Sequence, residues 1–148
     1  MICLLGVDLG TSGTKTVLFD AEGREVASQS VEYPLYQPQN GWAEQDPRGW
    51  WNAAVGTIRG VLEKSGVNPG DVKGLGISGQ MHGLVLLDEN GEPLGRSLLW
   101  CDGRTQRECD EITQAVGEKR LIEIAANPAL TGFTAGKILW VRRHRPEL

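Results

Sequence analysis

Ile2-Cys3-Leu4-Leu5-Gly6-Val7-Asp8-Leu9-Gly10-Thr11-Ser12-Gly13-Thr14-Lys15-Thr16-Val17-Leu18-Phe19-Asp20 reads as an apolar strand, a glycine-rich turn carrying hydroxyls, and a second strand. One acid, Asp8, stands where the first strand ends. Gly10 and Gly13 allow positive φ and close approach, so the turn can present backbone N–H groups and hydroxyls to a phosphate. Asp8 is then placed to hold a magnesium ion beside those phosphates, through water. An ordinary hairpin with glycines in its turn accounts for the same residues without a ligand, so other features must decide.

The 148 residues correspond to about one domain. An apolar fraction of 40% and a charged fraction of 23% are those of a soluble globular chain. A net charge of −4 argues against nucleic acid as the main partner. The basic run Arg142-Arg143-His144-Arg145 reads as a solvated helix face. No apolar run approaches the roughly 20 residues that span a bilayer, which argues against a membrane role. The start Met-Ile-Cys-Leu-Leu lacks a basic n-region and reads as a strand, not a signal peptide. Cys3, Cys101 and Cys109 lack metal-site spacing and read as small buried thiols in a reducing, cytoplasmic setting. His82 and His144 are too far apart in sequence to predict a histidine-based metal site. The ending Arg145-Pro146-Glu147-Leu148 follows a helix-like stretch without a polar tail or closing strand, and reads as a truncated larger protein.

Around the turn, residues 2–9, 14–20 and 25–33 predict three consecutive antiparallel strands, the last two joined at Ala21-Glu22-Gly23-Arg24. Residues 34–45 predict a loop. Asp46-Pro47 opens a helix, with Asp as N-cap and Pro at the first helical position. Its apolar face comprises Trp50, Trp51, Ala54, Val55, Ile58, Val61 and Leu62, Gly56 and Gly60 predict close packing on a sheet, and Gly66 ends it. Residues 71–79 predict a buried fourth strand and 84–88 a fifth, with a turn at Asn90-Gly91. Residues 105–116 and 135–144 predict helices. The sum is a layered α/β domain.

Gly74-Leu75-Gly76-Ile77-Ser78-Gly79 matches the dinucleotide pattern G-x-G-x-x-G, but its glycines lie inside a strand and no helix follows, so context rejects it. The next residues, Gln80-Met81-His82-Gly83, sit at the carboxyl end of that strand, where α/β proteins usually place ligands. An amide and an imidazole suit a polyol. A loop histidine satisfied by backbone and a methionine that fills core are the plain alternative. Further on, Trp100, Asp102 and Arg104 in Trp100-Cys101-Asp102-Gly103-Arg104 offer groups for hydroxyls and a wall for a sugar face. A helix N-cap with a surface salt bridge explains Asp102 and Arg104 equally.

In this order and spacing, the chain resembles the N-terminal part of the FGGY carbohydrate kinases, most closely the members that act on D-xylulose. The resemblance rests on Gly6 to Lys15, Trp42-Ala43-Glu44-Gln45-Asp46-Pro47 with Trp50-Trp51, Gly76 to Gly83, Trp100 to Arg104, and Gly132-Phe133-Thr134 to Lys137 with Leu139-Trp140. It implies an α/β, ribonuclease H-like fold of the actin-type ATPases, with an N-terminal antiparallel strand set and packed helices. Residues 1–148 then form the N-terminal, sugar-binding part of the kinase's N-terminal domain, and the C-terminal ATP-binding domain is absent. The implied reaction is transfer of the ATP γ-phosphoryl to the 5-hydroxyl of D-xylulose with Mg²⁺, giving D-xylulose 5-phosphate.

By the same resemblance, Asp8 is the catalytic and metal-binding acid, and Gly10, Thr11, Ser12, Gly13 and Thr14 are the phosphate loop, with Lys15 beside it. Gln80, Met81, His82, Trp100, Asp102 and Arg104 make up the sugar site. Cys101 stands where relatives often have Asn. The family's catalytic aspartate, second phosphate motif and adenosine pocket lie beyond these residues, so the chain alone is expected to be inactive. A homodimer of the full-length protein is compatible with this picture. Kinases for gluconate, ribulose or fuculose remain alternatives. Actin-like ATPases, including heat-shock chaperones, share the opening turn but have no reason to carry the Gln80-Met81-His82 element.

Overall fold

Cys3, Leu5 and Val7 are buried, Leu4 and Asp8 are exposed and Gly6 is half-buried, the period-two pattern that makes the first strand. The computed structural model describes residues 2–148. In chain order the elements are β1 (Cys3–Leu9), β2 (Gly13–Asp20), β3 (Glu25–Glu32), β4 (Glu44–Gln45), α1 (Pro47–Ser65), β5 (Val72–Ser78), β6 (Ser97–Leu98), α2 (Gln106–Val116), α3 (Glu118–Ala125) and α4 (Thr134–His144), with a short 3-10 turn at Pro69–Asp71. They fall into two compact units: Met1–Leu35 with Pro47–Gln80, and Tyr36–Asp46 with Met81–Leu148.

The first unit is a four-stranded sheet in the order β3-β2-β1-β5, covered on one face by α1. β1 pairs antiparallel with β2 and parallel with β5, and β2 pairs antiparallel with β3. The three consecutive antiparallel strands read from the sequence are therefore present. Cys3, Leu5, Leu18 and Val61 form the core, with Ala27, Ile58, Val67 and Val72 packed on it. A buried hydrogen bond of 2.7 Å joins Thr16 Oγ1 of β2 to Thr57 Oγ1 of α1.

α1 begins after Asp46 as predicted, and Gly66 ends it at φ +65. Its buried stripe is Ala53, Thr57 and Val61, at i, i+4 and i+8, whereas Trp51 is 71% exposed. Gly60 approaches the sheet closely, since a Cβ there would meet Gln29 Cγ at 3.0 Å. Gly56 has open space beside it, so the close packing predicted at both glycines holds at one.

β5 is the other correction. It lies at the sheet edge, and Leu75 and Ile77 are 50% and 68% exposed, because α1 packs chiefly across β3 and β2.

In the second unit, β4 and β6 pair antiparallel within the segment predicted as loop and beyond it. The strand expected at residues 84–88 is instead two isolated bridges, Leu84 to Leu98 and Leu87 to Pro93. Proline lacks the N–H that would extend that ladder. The turn at Asn90-Gly91 is as predicted: Asp88 Oδ1 accepts from Asn90 N and Glu92 N, and Gly91 has φ +81.

Leu84, Leu98 and Val141 form this unit's core with Leu86 and Trp140. α2 and α4 match the predicted helices, and α3 was not predicted. Gly117, at φ +86, closes α2 and opens α3 with a single residue between them. The basic run at the end of α4 is only partly solvated. Arg143 pairs with Glu108 and, at 2.6 Å, with Glu111 of α2, and His144 stacks on Trp140 at 4.8 Å. Cys3 and Cys109 are buried thiols, but Cys101 is exposed.

Candidate functional site

The antiparallel register places Asp8 of β1 directly opposite Lys15 of β2, two strand residues that flank the glycine turn. Both are exposed. They line a groove of about 440 Å³ on the sheet, together with Val17, Phe19 and Ser78 and floored by Gly6 and Gly76.

The turn is held by its own backbone: Gly10 N donates to Gly13 O at 2.9 Å, and Tyr33 N donates to Ser12 O at 3.4 Å. Neither Gly10 nor Gly13 has positive φ, contrary to the expectation from sequence. Gly13 is required by proximity, since a Cβ there would lie 2.6 Å from Val31 O and 3.0 Å from Glu32 Cα of β3. Because the obstacle is backbone, Gly13→Ala is expected to cost about 1–3 kcal/mol, read as a lowered denaturant midpoint.

Thr14 does not face outward with the rest of the turn. It is 1% exposed, and its hydroxyl donates to Tyr33 Oη at 3.5 Å. Tyr33 Oη in turn donates to Gly10 O. Tyr33, which no local pattern marks, is thus a brace under the turn. Burial pushes its phenol above the ordinary value of 10.0, with the Thr14 hydrogen bond opposing and Asp8 adding to the rise. Above pH 10 the unfolded chain then loses this proton first. Stability is therefore expected to fall as pH rises from about 10 through the raised native value. Unfolding midpoints across that range should fall less in Tyr33→Phe than in the wild type.

Gln80 also belongs to the turn. Its Nε2 donates to Gly10 O at 3.1 Å, and its Oε1 accepts from Thr11 Oγ1 at 3.3 Å. The Gln80 amide, which the sequence offers as a sugar ligand, is thus bonded to the glycine turn in this structure.

The remaining candidates lie in the second unit and divide by exposure. Met81 and Trp100 are 69% and 50% exposed, and His82 is exposed too. Asp102 and Arg104 are not. The Asp102 carboxylate accepts from Ala43 N at 2.7 Å, Arg104 N at 2.9 Å, and the Arg104 guanidinium at 2.8–3.0 Å. Arg104 Nη2 also reaches Glu44 Oε1 at 2.8 Å, and its guanidinium lies 3.6 Å over the Trp42 ring. These two side chains form a buried clasp between residues 42–44 and 102–104, which is neither a surface salt bridge nor a helix cap. The N-cap position of α2 is held by Thr105.

His82 has φ 65, a left-handed conformation that costs a non-glycine residue about 1–2 kcal/mol. Its ring meets Phe133 edge-on at 4.7 Å, and both rim a cavity of about 310 Å³ whose other lining, including Ile112, Leu121 and Leu130, is largely apolar. Lys137 is fully buried in α4, and its ammonium is held by backbone carbonyls. Burial pushes it below the ordinary lysine range, with the Asp102 charge opposing. In the sequence, Lys137 stands in the stretch Gly132 to Lys137 with no neighbouring pattern that marks it for a role.

Among the described residues no three His, Cys, Asp or Glu gather as a metal cage. One carboxylate at the turn nevertheless fits magnesium, which usually takes one or two carboxylates and completes its octahedron with water and phosphates. Also among the described residues, no helix is long and apolar enough to cross a membrane.

Comparison with known proteins gives one consistent result. Residues 3–148 match the family model described as the FGGY family of carbohydrate kinases, N-terminal domain. The chain is 41% identical to the xylulose kinase of Bacillus subtilis over 145 residues, which is 98% of this chain and 29% of that protein. It superposes on the xylulose kinase of Rhodospirillum rubrum with a TM-score of 0.92 at 28% identity, covering 98% of this chain and 30% of that one. The gluconate kinase of Lactobacillus acidophilus gives 0.88 at 30% identity, covering 98% and 29%. The chain thus spans about 29% of the length of the curated xylulose kinase it matches. Its fold is the actin-like ATPase fold of these sugar kinases, and the chain belongs to the FGGY family of carbohydrate kinases, matching its N-terminal domain.

Proposed function

We propose that the chain serves as the N-terminal, sugar- and phosphate-facing part of an ATP-dependent kinase for D-xylulose, forming D-xylulose 5-phosphate. The observation that carries this reading is the exposed Met81-His82 pair, in a chain 41% identical to a xylulose kinase. His82 offers a hydrogen-bonding imidazole to the sugar hydroxyls, and Met81 and Trp100 offer apolar faces to its carbons. The clasp of Asp102 and Arg104 keeps the backbone of this segment in shape.

Gly10, Thr11, Ser12 and Gly13 present the turn to the nucleotide phosphates, with Lys15 supplying positive charge beside them. Asp8 would hold Mg²⁺, which supplies charge neutralisation at the transferring phosphoryl group. Phosphoryl transfer rests mainly on positioning and electrostatics, and the base that receives the sugar proton is supplied by residues outside this chain. These 148 residues alone are therefore expected to lack kinase turnover.

In the kinase that carries this chain, His82→Ala is expected to raise the KM for D-xylulose about tenfold or more, while the KM for ATP stays within about twofold. An equal rise in both would overturn the assignment. Gluconate is the second candidate substrate, favoured by the match to a gluconate kinase. The ratio of kcat/KM for the two sugars decides between them.

A further inference from the structure

His82 adopts a left-handed backbone at φ 65. Two donors from the first turn of α4 meet on its carbonyl oxygen: Thr134 Oγ1 at 3.3 Å and Lys137 Nζ at 3.2 Å. The same ammonium donates to Gly132 O at 2.6 Å and Phe133 O at 3.3 Å, so three N–H groups serve three carbonyls. Lys137 is 0% exposed. One of the residues it holds, Phe133, is the residue whose ring faces the His82 imidazole at 4.7 Å. Another, Gly132, passes so close to Trp100 that a Cβ would lie 3.0 Å from Trp100 O. A single buried cation therefore ties His82, its aromatic neighbour and the residue packed on Trp100.

We infer that Lys137, assisted by Thr134, is a positioning residue that fixes the His82 backbone and with it the direction of the imidazole. The inference rests on the sugar role proposed above for His82. A compact ammonium can point three donors at three carbonyls, which the planar fork of a guanidinium does not match. The function of Lys137 is thus directional, and filling its volume does not replace it.

The test is the imidazole signals in proton–carbon NMR spectra of the 148-residue chain, whose two histidines are told apart by His144→Gln. Lys137→Met is expected to move the His82 signals away from their wild-type position beside Phe133 and to weaken D-xylulose binding roughly tenfold or more. Thr134→Val shifts them in the same direction, and Thr134→Ser restores them. If Lys137→Met does not fold, the Thr134 pair decides by itself. His82 signals that coincide with wild type in the folded variants would overturn the inference. A moved ring with unchanged sugar affinity would leave the positioning standing and overturn the sugar role of His82.

Discussion

Asp102→Asn is expected to remove about 3–5 kcal/mol of stability, the cost of breaking a buried ion pair from one side. The side chains of Asp102 and Arg104 are 0% and 3% exposed, so water cannot replace the lost partner. The carboxylate serves two backbone N–H groups, those of Ala43 and Arg104, as well as the guanidinium. An amide keeps the shape but turns an NH₂ group toward donors, and it leaves Glu44 as the sole carboxylate bonded to Arg104. Arg104→Lys is no rescue, because a point charge cannot both chelate Asp102 and lie flat on Trp42. Denaturant unfolding followed by tryptophan fluorescence measures the loss. By contrast, Arg107→Gln, at a pair whose side chains are 73% and 40% exposed, should leave the midpoint nearly unchanged. A loss below about 1 kcal/mol in Asp102→Asn would show that the clasp does not hold the second unit together.

Asp8→Ala is expected to lower kcat about a hundredfold or more in the kinase that carries this chain, with the KM for D-xylulose nearly unchanged. Asp8 is exposed at the mouth of the turn and opposite Lys15, so its removal leaves the core of Cys3, Leu5, Leu18 and Val61 untouched. The loss is expected in charge balance at the phosphates, with the sugar contacts proposed for Met81 and His82 retained. Steady-state kinetics separates the two. A preserved kcat, or a large rise in the KM for sugar, would remove Asp8 from the phosphate end of the reaction.

The parts of the fold legible in the sequence are those fixed by local signals. Alternation at Cys3, Leu5 and Val7 marks β1, and Asp46-Pro47 with Gly66 brackets α1. What depends on distant partners was not legible. Residues 84–87 form an apolar run like a strand, but Leu87 meets Pro93, which cannot continue a ladder. α3 is eight residues long behind Gly117, and its apolar pair Leu121 and Ala125 faces a cavity. The sequence allows Gly13 both positive φ and close approach, and the approach that requires glycine is that of Val31, which only strand pairing creates.

The candidate site divides in the same way. The turn and the exposed Met81-His82 pair stand out as motifs. Tyr33 under the turn and Lys137 behind His82 act through contacts spanning 23 and 55 residues, which no spacing rule reveals, and neither does any reveal the 70-residue contact of the motif residue Gln80 with Gly10.

If this chain carries the sugar-binding part of a D-xylulose kinase, as proposed, calorimetric titration of D-xylulose into the purified chain will detect it. Saturable binding by the wild type is expected, lost in His82→Ala while the fold is retained. Equal heats in the two proteins, or binding of gluconate in preference to D-xylulose, would contradict it.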